Sequence, residues 1–405
     1  MRVSIVSINY APERTGIGVY TTGLAEQLAA DGHAVTVHSG FAYYPEWRKS
    51  EADRGRLYRR ETVNGVDLRR SWLYVPQRPS ALKRIAHEFS FVVSAALAYL
   101  FAPRAERTII VLPPLALGLA IGVLARLKGS RSILHVQDLQ PDAAVELGML
   151  KPGMLTRALY VLEALNYRLC DRVSTISEGM RRKILGKGVP AQKTLMFRNW
   201  ANDALVRPGE RMTGLRGEWG LAAEHFVVLY SGNLGRKQGL DSLLDAAALL
   251  APEPRIRVVI VGDGAEQPEL VARAQSLRLS NVMFRPLQPL ERLSELLATA
   301  DLSVIPQKRA VTDIVLPSKL CNILASGRAV VAAAPPSSDL ALILAEGDCG
   351  VRVEPEDAQA LATAILQLAN DPARLAAAGA SARRYAEQHL TQVALIRRFA
   401  AQALE

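Results

Sequence analysis

Phe226-Val-Val-Leu-Tyr-Ser-Gly-Asn-Leu-Gly-Arg-Lys-Gln-Gly239 runs from an apolar stretch into a glycine-rich turn, and Leu240, Leu243, Leu244, Ala247 and Leu250 follow at helical spacing. A short apolar run closed by a turn signal reads as a strand buried on both faces, and the switch to a 3.6-residue period marks a strand–turn–helix unit. Glycines in such a turn let backbone N–H groups approach an anion, and Arg236 or Lys237 would neutralise a diphosphate there. Taken alone, Lys237 also reads as a solvated surface lysine.

A second stretch repeats the theme. Leu302-Ser-Val-Ile-Pro306 is a short apolar strand, and Leu320, Ile323, Leu324 and Ala325 keep helical spacing until Gly327 ends the helix. Pro317 suits a first helical position, which puts the N–H groups of Ser318 and Lys319 in the first turn, with Lys319 adding charge. Alone, this is an ordinary helix start. Two basic helix starts in one half of a chain point to a bound diphosphate.

The rest of the chain alternates in the same way. Strand-like runs at Arg2 to Asn9, Ala34 to Ser39, Val66 to Tyr74, Thr108 to Leu112, Arg131 to Gln137 and Arg172 to Ile176 are separated by helical patterns at Val19 to Ala30, Ser80 to Ala102, Leu115 to Leu127 and Met154 to Leu169. Strands near 226, 256, 281, 302, 329 and 350 alternate with helices in the second half. The expected class is α/β, two Rossmann-like doubly wound parallel sheets whose strand carboxyl ends line a cleft. The expected domains are 1–202 and 203–375, with helices over 376–405 packing back toward the first, and the polar, glycine-bearing stretch Asn202 to Glu224 reads as a linker.

At 405 residues, 49% hydrophobic and 22% charged, the chain is ample for two such domains and is neither fibrous nor disordered in composition. Cys170, Cys321 and Cys349 are scattered without C-x-x-C spacing, which argues against a disulfide framework or zinc site and fits a reducing cytosol. The apolar stretch after Met1 is too short for a signal peptide and reads as a first strand.

Net charge is +10 and unevenly spread, with 28 Lys and Arg against 16 Asp and Glu in residues 1–200 and 21 against 23 beyond. Basic residues from Arg48 to Arg84 are interleaved with or adjoin Tyr43, Tyr44, Trp47, Tyr58, Trp72 and Tyr74, a pattern that suits an anionic membrane surface, nucleic acid or a plain solvated face. The uncharged stretch Phe89 to Ala102 next to it is too short to span a bilayer, so it is a core or an interfacial helix. Basic and aromatic residues leading into it favour peripheral contact with the inner leaflet.

In the first half, Asn9-Tyr-Ala-Pro-Glu-Arg-Thr-Gly-Ile-Gly18 joins strand one to helix one, and Gly16 and Gly18 permit close backbone approach to a ligand. Thr21 stands where a dinucleotide fingerprint needs its third glycine, and no acid follows the second strand, so NAD binding is not indicated. Strand Arg131 to Gln137 delivers His135 and Asp138 to the same edge, followed by Asp142. His135 reads equally as a buried, hydrogen-bonded residue and as a catalytic one. Asn199-Trp200 is a further edge position.

These residues resemble the GT-B-fold retaining glycosyltransferases of family four, and within them the bacterial exopolysaccharide enzymes of the colanic-acid type. The likeness is carried by Ile8 to Gly18, Tyr43-Tyr-Pro-Glu-Trp47, Leu134-His-Val-Gln-Asp138, Val173-Ser-Thr-Ile-Ser177, Arg198-Asn-Trp200, Tyr230-Ser-Gly-Asn233 with Lys237-Gln-Gly239, Val261-Gly-Asp-Gly264 and Leu316-Pro-Ser-Lys-Leu320. The resemblance implies that Lys237 contacts the donor diphosphate, while Asn233 falls where many relatives place an arginine, shifting that work to Lys237, Lys319 and Arg236. It places Gly262, Asp263 and Gly264, with Arg285 and Leu287, near the nucleotide base. Relatives often carry a Glu-x7-Glu pair; here its positions are Ile314 and Asn322, with Asp313 one residue away and Asn322 able to hydrogen-bond ribose hydroxyls.

Catalytic candidates are then His135, Asp138, Lys237 and Asp313. The donor-binding set is Gly16, Gly18, Asn233, Arg236, Lys237, Gly262, Asp263, Gly264, Arg285, Leu287, Pro317, Ser318, Lys319 and Asn322. With no D-x-D motif, neither a metal nor another cofactor is expected. The implied substrates are a nucleotide sugar, with GDP-fucose suggested by the colanic-acid likeness, and an undecaprenyl-diphosphate-linked glycan. The expected location is the cytoplasmic face of the membrane, with no nucleic-acid partner. Two other classes fit parts of the pattern. A sugar-nucleotide epimerase would act without an acceptor, and a non-catalytic membrane or nucleic-acid module would leave both phosphate-suited helix starts unexplained.

Overall fold

The computed structural model describes the chain except for Arg14, Thr15, Pro45, Pro79, Leu147, Met149, Pro152, residues 202–204, residues 310–318 and Glu405, with backbone only at Ala81 and Lys237. The chain divides into two compact units, Met1–Arg198 with Val393–Glu405, and Asn199–Gln392.

The first unit contains β1 (Arg2–Ser7), α1 (Ile17–Ala30), β2 (Ala34–Gly40), β3 (Tyr58–Val63), β4 (Val66–Ser71), α2 (Ala81–Leu100), β5 (Arg107–Leu112) and α3 (Leu115–Leu127). It continues with β6 (Arg131–Val136), α4 (Gln140–Glu146), α5 (Met154–Leu169), β7 (Arg172–Thr175), α6 (Glu178–Gly186) and β8 (Thr194–Met196). Its strands form one sheet in the order β3-β4-β2-β1-β5-β6-β7-β8. The sheet is not wholly parallel as expected, because β3 pairs antiparallel with β4. The cause is the two-residue loop Asn64-Gly65, both at positive φ (49° and 80°), which is the backbone that a tight hairpin demands.

The second unit contains α7 (Gly214–Glu218), β9 (Phe226–Ser231), α8 (Leu240–Leu249), β10 (Ile256–Val261), α9 (Gln267–Ser276), β11 (Val282–Arg285) and α10 (Leu293–Thr299). Then follow β12 (Leu302–Ile305), α11 (Lys319–Ala325), β13 (Ala329–Ala333), α12 (Asp339–Gly347), β14 (Gly350–Val353), α13 (Ala358–Asn370) and α14 (Pro372–His389). After it, α15 (Gln392–Ala403) returns the chain to the first unit from Val393 onward. The six strands are parallel, in the order β11-β10-β9-β12-β13-β14. Alternate residues of β9 feed opposite cores, Val227 and Leu229 on one face and Val228 and Tyr230 on the other. Burial on both faces is why the central strands are dominated by apolar residues, whereas the edge strands β11 (Val-Met-Phe-Arg) and β14 (Gly-Val-Arg-Val) are only partly buried.

The stretch from Asn202 to Glu224 is not a plain linker. Val206, Leu215, Trp219 and Leu221 are buried in the second unit. Arg216 is fully buried and ion-paired at 2.5 Å with Asp301, which also accepts the Val227 N–H at 2.8 Å. A polar composition hid a segment whose charge is spent inside the unit.

In both sheets the strand order reverses beside the first strand, between β1 and β5 and between β9 and β12. Ligands of open α/β sheets bind beyond the carboxyl ends at such switch points. The Gly16 turn follows β1, and the Gly232–Gly239 turn follows β9.

Candidate active site

At the carboxyl edge of the second sheet the loops after β9 and β10 are bonded to each other and to the last residue of β11. Gly232 N–H donates to Val261 O (2.9 Å), Leu234 N–H to Asp263 O (2.9 Å), Glu266 N–H to Leu234 O (3.0 Å) and Gly262 N–H to Arg285 O (3.1 Å). Glycine is required here by contact. A Cβ on Gly262, whose φ is 153°, would lie 1.9 Å from Gly232 O, and one on Gly264 would lie 2.4 Å from Leu234 O. The structure thus gathers Asn233, Gly262, Asp263, Gly264 and Arg285, which are scattered in sequence, into one backbone platform.

Lys319, at the start of α11, reaches this platform. Its Nζ sits 3.9 Å from the centroid of the Tyr230 ring and donates to Gln238 Oε1 at 3.1 Å. On another side Gly232 leaves it room, since a Cβ there would come within 3.0 Å of Nζ. Tyr230 is itself held, its hydroxyl donating to Asn233 O at 2.7 Å. Burial of the ammonium among these groups lowers its pKa from 10.5 to about 7. A cation over an aromatic face in a low-dielectric site binds an incoming anion more strongly than a solvated lysine does.

The other donor-side residues are spread around that point. Arg236 and Lys237 lie in the 3-10 turn Arg236–Gln238, and Gly239 at φ 62° turns the chain into α8. Arg236 is exposed, 3.6 Å from Glu266. The Arg285 guanidinium lies over the Trp219 ring at 5.9 Å, while its Nε is buried and meets no hydrogen-bond partner among the described residues. Leu287 is exposed. Asn322 is half-buried on α11. Asp313, Pro317 and Ser318 lie outside the described residues.

The corresponding edge of the first sheet has different chemistry. Gly16, at φ 64°, precedes α1, and among the described residues nothing lies within 4 Å of where its Cβ would be. Gly18 instead packs against its own loop, since a Cβ there would meet Glu13 Cβ at 3.3 Å and Asn9 Cβ at 3.5 Å. Glu13 is buried and accepts from Tyr43 N–H (2.9 Å), Tyr44 N–H (3.0 Å) and Asn9 Nδ2 (2.7 Å). Burial pushes its pKa up despite those three donors. Next to it Tyr43, Trp47 and His87 form an aromatic cluster with centroids 4.4 to 5.4 Å apart.

His135 is buried, with Nδ1 2.9 Å from Ser174 Oγ, Nε2 2.9 Å from Gln137 Nε2, and its ring against Phe197. Burial lowers its pKa to about 3, so it is neutral. Both ring nitrogens are engaged within the unit. Asp138 is the next polar residue of that edge, and its charge helps to raise the pKa of Glu88, which burial raises most.

Sequence reading did not single out Tyr230, Gln238 or Glu13. The available signals were an aromatic residue next to the carboxyl end of β9 and an acid in the first βα loop. Among the described residues no group of three His, Cys, Asp or Glu side chains is placed to hold a metal ion.

Residues 15–200 match the family described as glycosyl transferase 4-like domain, and residues 213–385 match glycosyl transferases group 1. The chain is 38% identical to the putative colanic acid biosynthesis glycosyl transferase WcaI of Escherichia coli (strain K12), over 98% of this chain and 98% of that one. Among solved structures, sucrose-phosphate synthase from Thermosynechococcus elongatus superposes with a TM-score of 0.78 at 20% identity, covering 99% of this chain and 97% of that one. Anabaena HepE in complex with UDP-glucose gives 0.72 at 16%, covering 99% and 98%. By these matches the chain is a member of the glycosyl transferases group 1, with a glycosyl transferase 4-like amino-terminal half, and it has the GT-B fold.

Proposed function

We propose that the chain is a retaining, metal-independent glycosyltransferase of exopolysaccharide assembly. It moves fucose from GDP-fucose to an undecaprenyl-diphosphate-linked glycan at the cytoplasmic face of the membrane. The observation that carries this reading is the meeting of the Gly232, Gly262 and Gly264 backbone with the Lys319 ammonium at the switch point of the second sheet. The partly desolvated Lys319 ammonium, seated where close glycine packing leaves it room, suits a diphosphate, and the Arg285 Nε suits an acceptor oxygen of the donor.

In the reaction the bond from the anomeric carbon to the diphosphate oxygen breaks, and the acceptor hydroxyl oxygen forms the new bond on the same face. The hydroxyl proton passes to the leaving diphosphate. The residues then contribute positioning and stabilisation of the charge that builds on the leaving group, with Lys237, Lys319 and Arg236 as its cations and Asn322 on the ribose.

The test is incubation with a panel of GDP- and UDP-sugars, with and without a lipid-linked acceptor, while nucleoside diphosphate is measured. Acceptor-dependent release with GDP-fucose is the expected result. Conversion of the nucleotide sugar without acceptor would instead assign an epimerase. Turnover is expected to persist in excess chelator, and loss that added divalent ion restores would overturn the metal-independent part.

A further inference from the structure

We propose that the outward side of the α2–α3–α5 layer of the first unit docks on the anionic surface of a lipid bilayer, with α2 lying in the plane of the headgroups. The proposal deepens, and rests on, the reading of a lipid-linked acceptor.

The sequence left residues 82–102 as either a core or an interfacial helix, and the structure shows one helix doing both. The inner side of α2 buries Phe91, Val92, Ala95 and Tyr99. On the outer side Leu82, Ile85, Phe89, Val93 and Leu97 recur every three or four residues, and Phe101 follows just past the helix end. These large apolar side chains are all exposed, Leu82 at 79%, Phe89 at 63% and Phe101 at 83%. A helix that satisfies its core needs one apolar stripe, and α2 carries a second. α3 packs against both α2 and α5, and Leu127 of α3 with Met154 and Val161 of α5 are also exposed.

Charge says what covers the face. Much of the basic cluster read from sequence is consumed internally: Arg59 pairs with Asp53 and Glu61, Arg60 and Arg69 with Asp67, and Arg70 with Glu61. Arg78, Lys83 and Arg84, at the amino end of α2, form no ion pair among the described residues, and neither does Lys49, which lies over the Trp72 ring at 5.1 Å. Trp72 and Tyr74 are partly exposed and adjoin α2, Trp72 O accepting from Ser94 Oγ and Tyr74 N–H donating to Ser90 Oγ at 2.8 Å. An apolar stripe bordered by unpaired cations and amphipathic rings fits headgroups over acyl chains. A second copy of the chain would set the same cations against one another across a two-fold axis. Among the described residues no helix is long and apolar enough to cross a membrane, so α2 lies along the surface.

The test is flotation of the full chain with phosphatidylglycerol-containing vesicles and with pure phosphatidylcholine vesicles, alongside nucleotide-sugar binding. The wild type is expected to float with the anionic vesicles at least tenfold better than with the neutral ones. Leu82→Ser/Phe89→Ser/Leu97→Ser should lose flotation at least tenfold with unchanged thermal unfolding and donor binding. Arg78→Glu/Lys83→Glu should abolish the preference for anionic lipid. A wild type that ignores anionic vesicles overturns the proposal, as does a serine variant that floats normally. So does a dimer in light scattering that the serine substitutions split without altering flotation. Docking without donor binding would leave this proposal standing and remove the transferase reading.

Discussion

At the carboxyl edge of the second sheet, glycine backbone and an ammonium group meet. At the same edge of the first sheet, a buried carboxyl group and aromatic rings meet. Both edges are switch points of similar sheets, and both open on a glycine-bearing loop. They differ in what the glycines admit. Gly262 and Gly264 bring the loops after β9 and β10 into backbone contact beside Lys319, whereas Gly18 admits the chain's own Glu13 and Asn9. One sheet architecture therefore carries close-packed glycine backbone beside a lysine in one unit and a buried carboxyl group packed with aromatic rings in the other. The assignment comes from the side chains, because the fold is common to both.

The strongest way to break this contrast is Lys237→Ala, which should abolish sugar transfer while circular dichroism and thermal unfolding stay at wild type. Near wild-type turnover would remove the anion platform from the reaction. Gly262→Ala comes next. The new methyl group must displace Gly232 O, so the second unit should lose about 2–4 kcal/mol in urea unfolding, with nucleotide-sugar binding weakened alongside. An unchanged midpoint would show that the loops tolerate separation.

A pH series sharpens the contrast. Because burial brings the Lys319 pKa to about 7, the ammonium that would meet the diphosphate is lost as pH rises through neutrality. Nucleotide-sugar affinity should therefore fall above pH 7, approaching about tenfold per unit, and Lys319→Met should flatten the profile. Stability moves the opposite way. Between about pH 7 and 10.5 the unfolded chain holds a proton on this group that the folded chain lacks, so its contribution to stability grows with pH across that window. The smallest expected effect is at the other edge. Glu13→Gln should cost about 1–2 kcal/mol of stability and leave donor affinity within about twofold, measured by calorimetry.

Much of this was legible in sequence because burial on both faces writes a strand as a continuous apolar run. All six strands of the second sheet stand where those runs are. The antiparallel β3 was missed because its pattern is charged, Tyr-Arg-Arg-Glu-Thr-Val, and its faces are satisfied by ion pairs; only Asn64-Gly65 betrays it. The short α6 was missed too, although Ser177 caps it by accepting the Met180 N–H. At the site, glycine-rich turns after strands announced the platform. The seat of Lys319 did not show, since Tyr230 and Lys319 belong to separate crossovers and meet only through the sheet order. His135 could not be settled either, because a buried partner such as Ser174 on the neighbouring strand leaves no mark in the local sequence.

The return of α15 to the first unit sets the order in which the protein can be completed. Phe399 stacks on Phe197 at 4.1 Å and approaches His135, and Arg397 pairs with Asp31 at 2.9 Å, so the earliest part of the chain waits for residues synthesised after the whole second unit. On the ribosome the first unit begins first and finishes last. A C-terminal deletion would therefore uncover Phe197 and His135 and damage the amino-terminal unit before the one it adjoins in sequence.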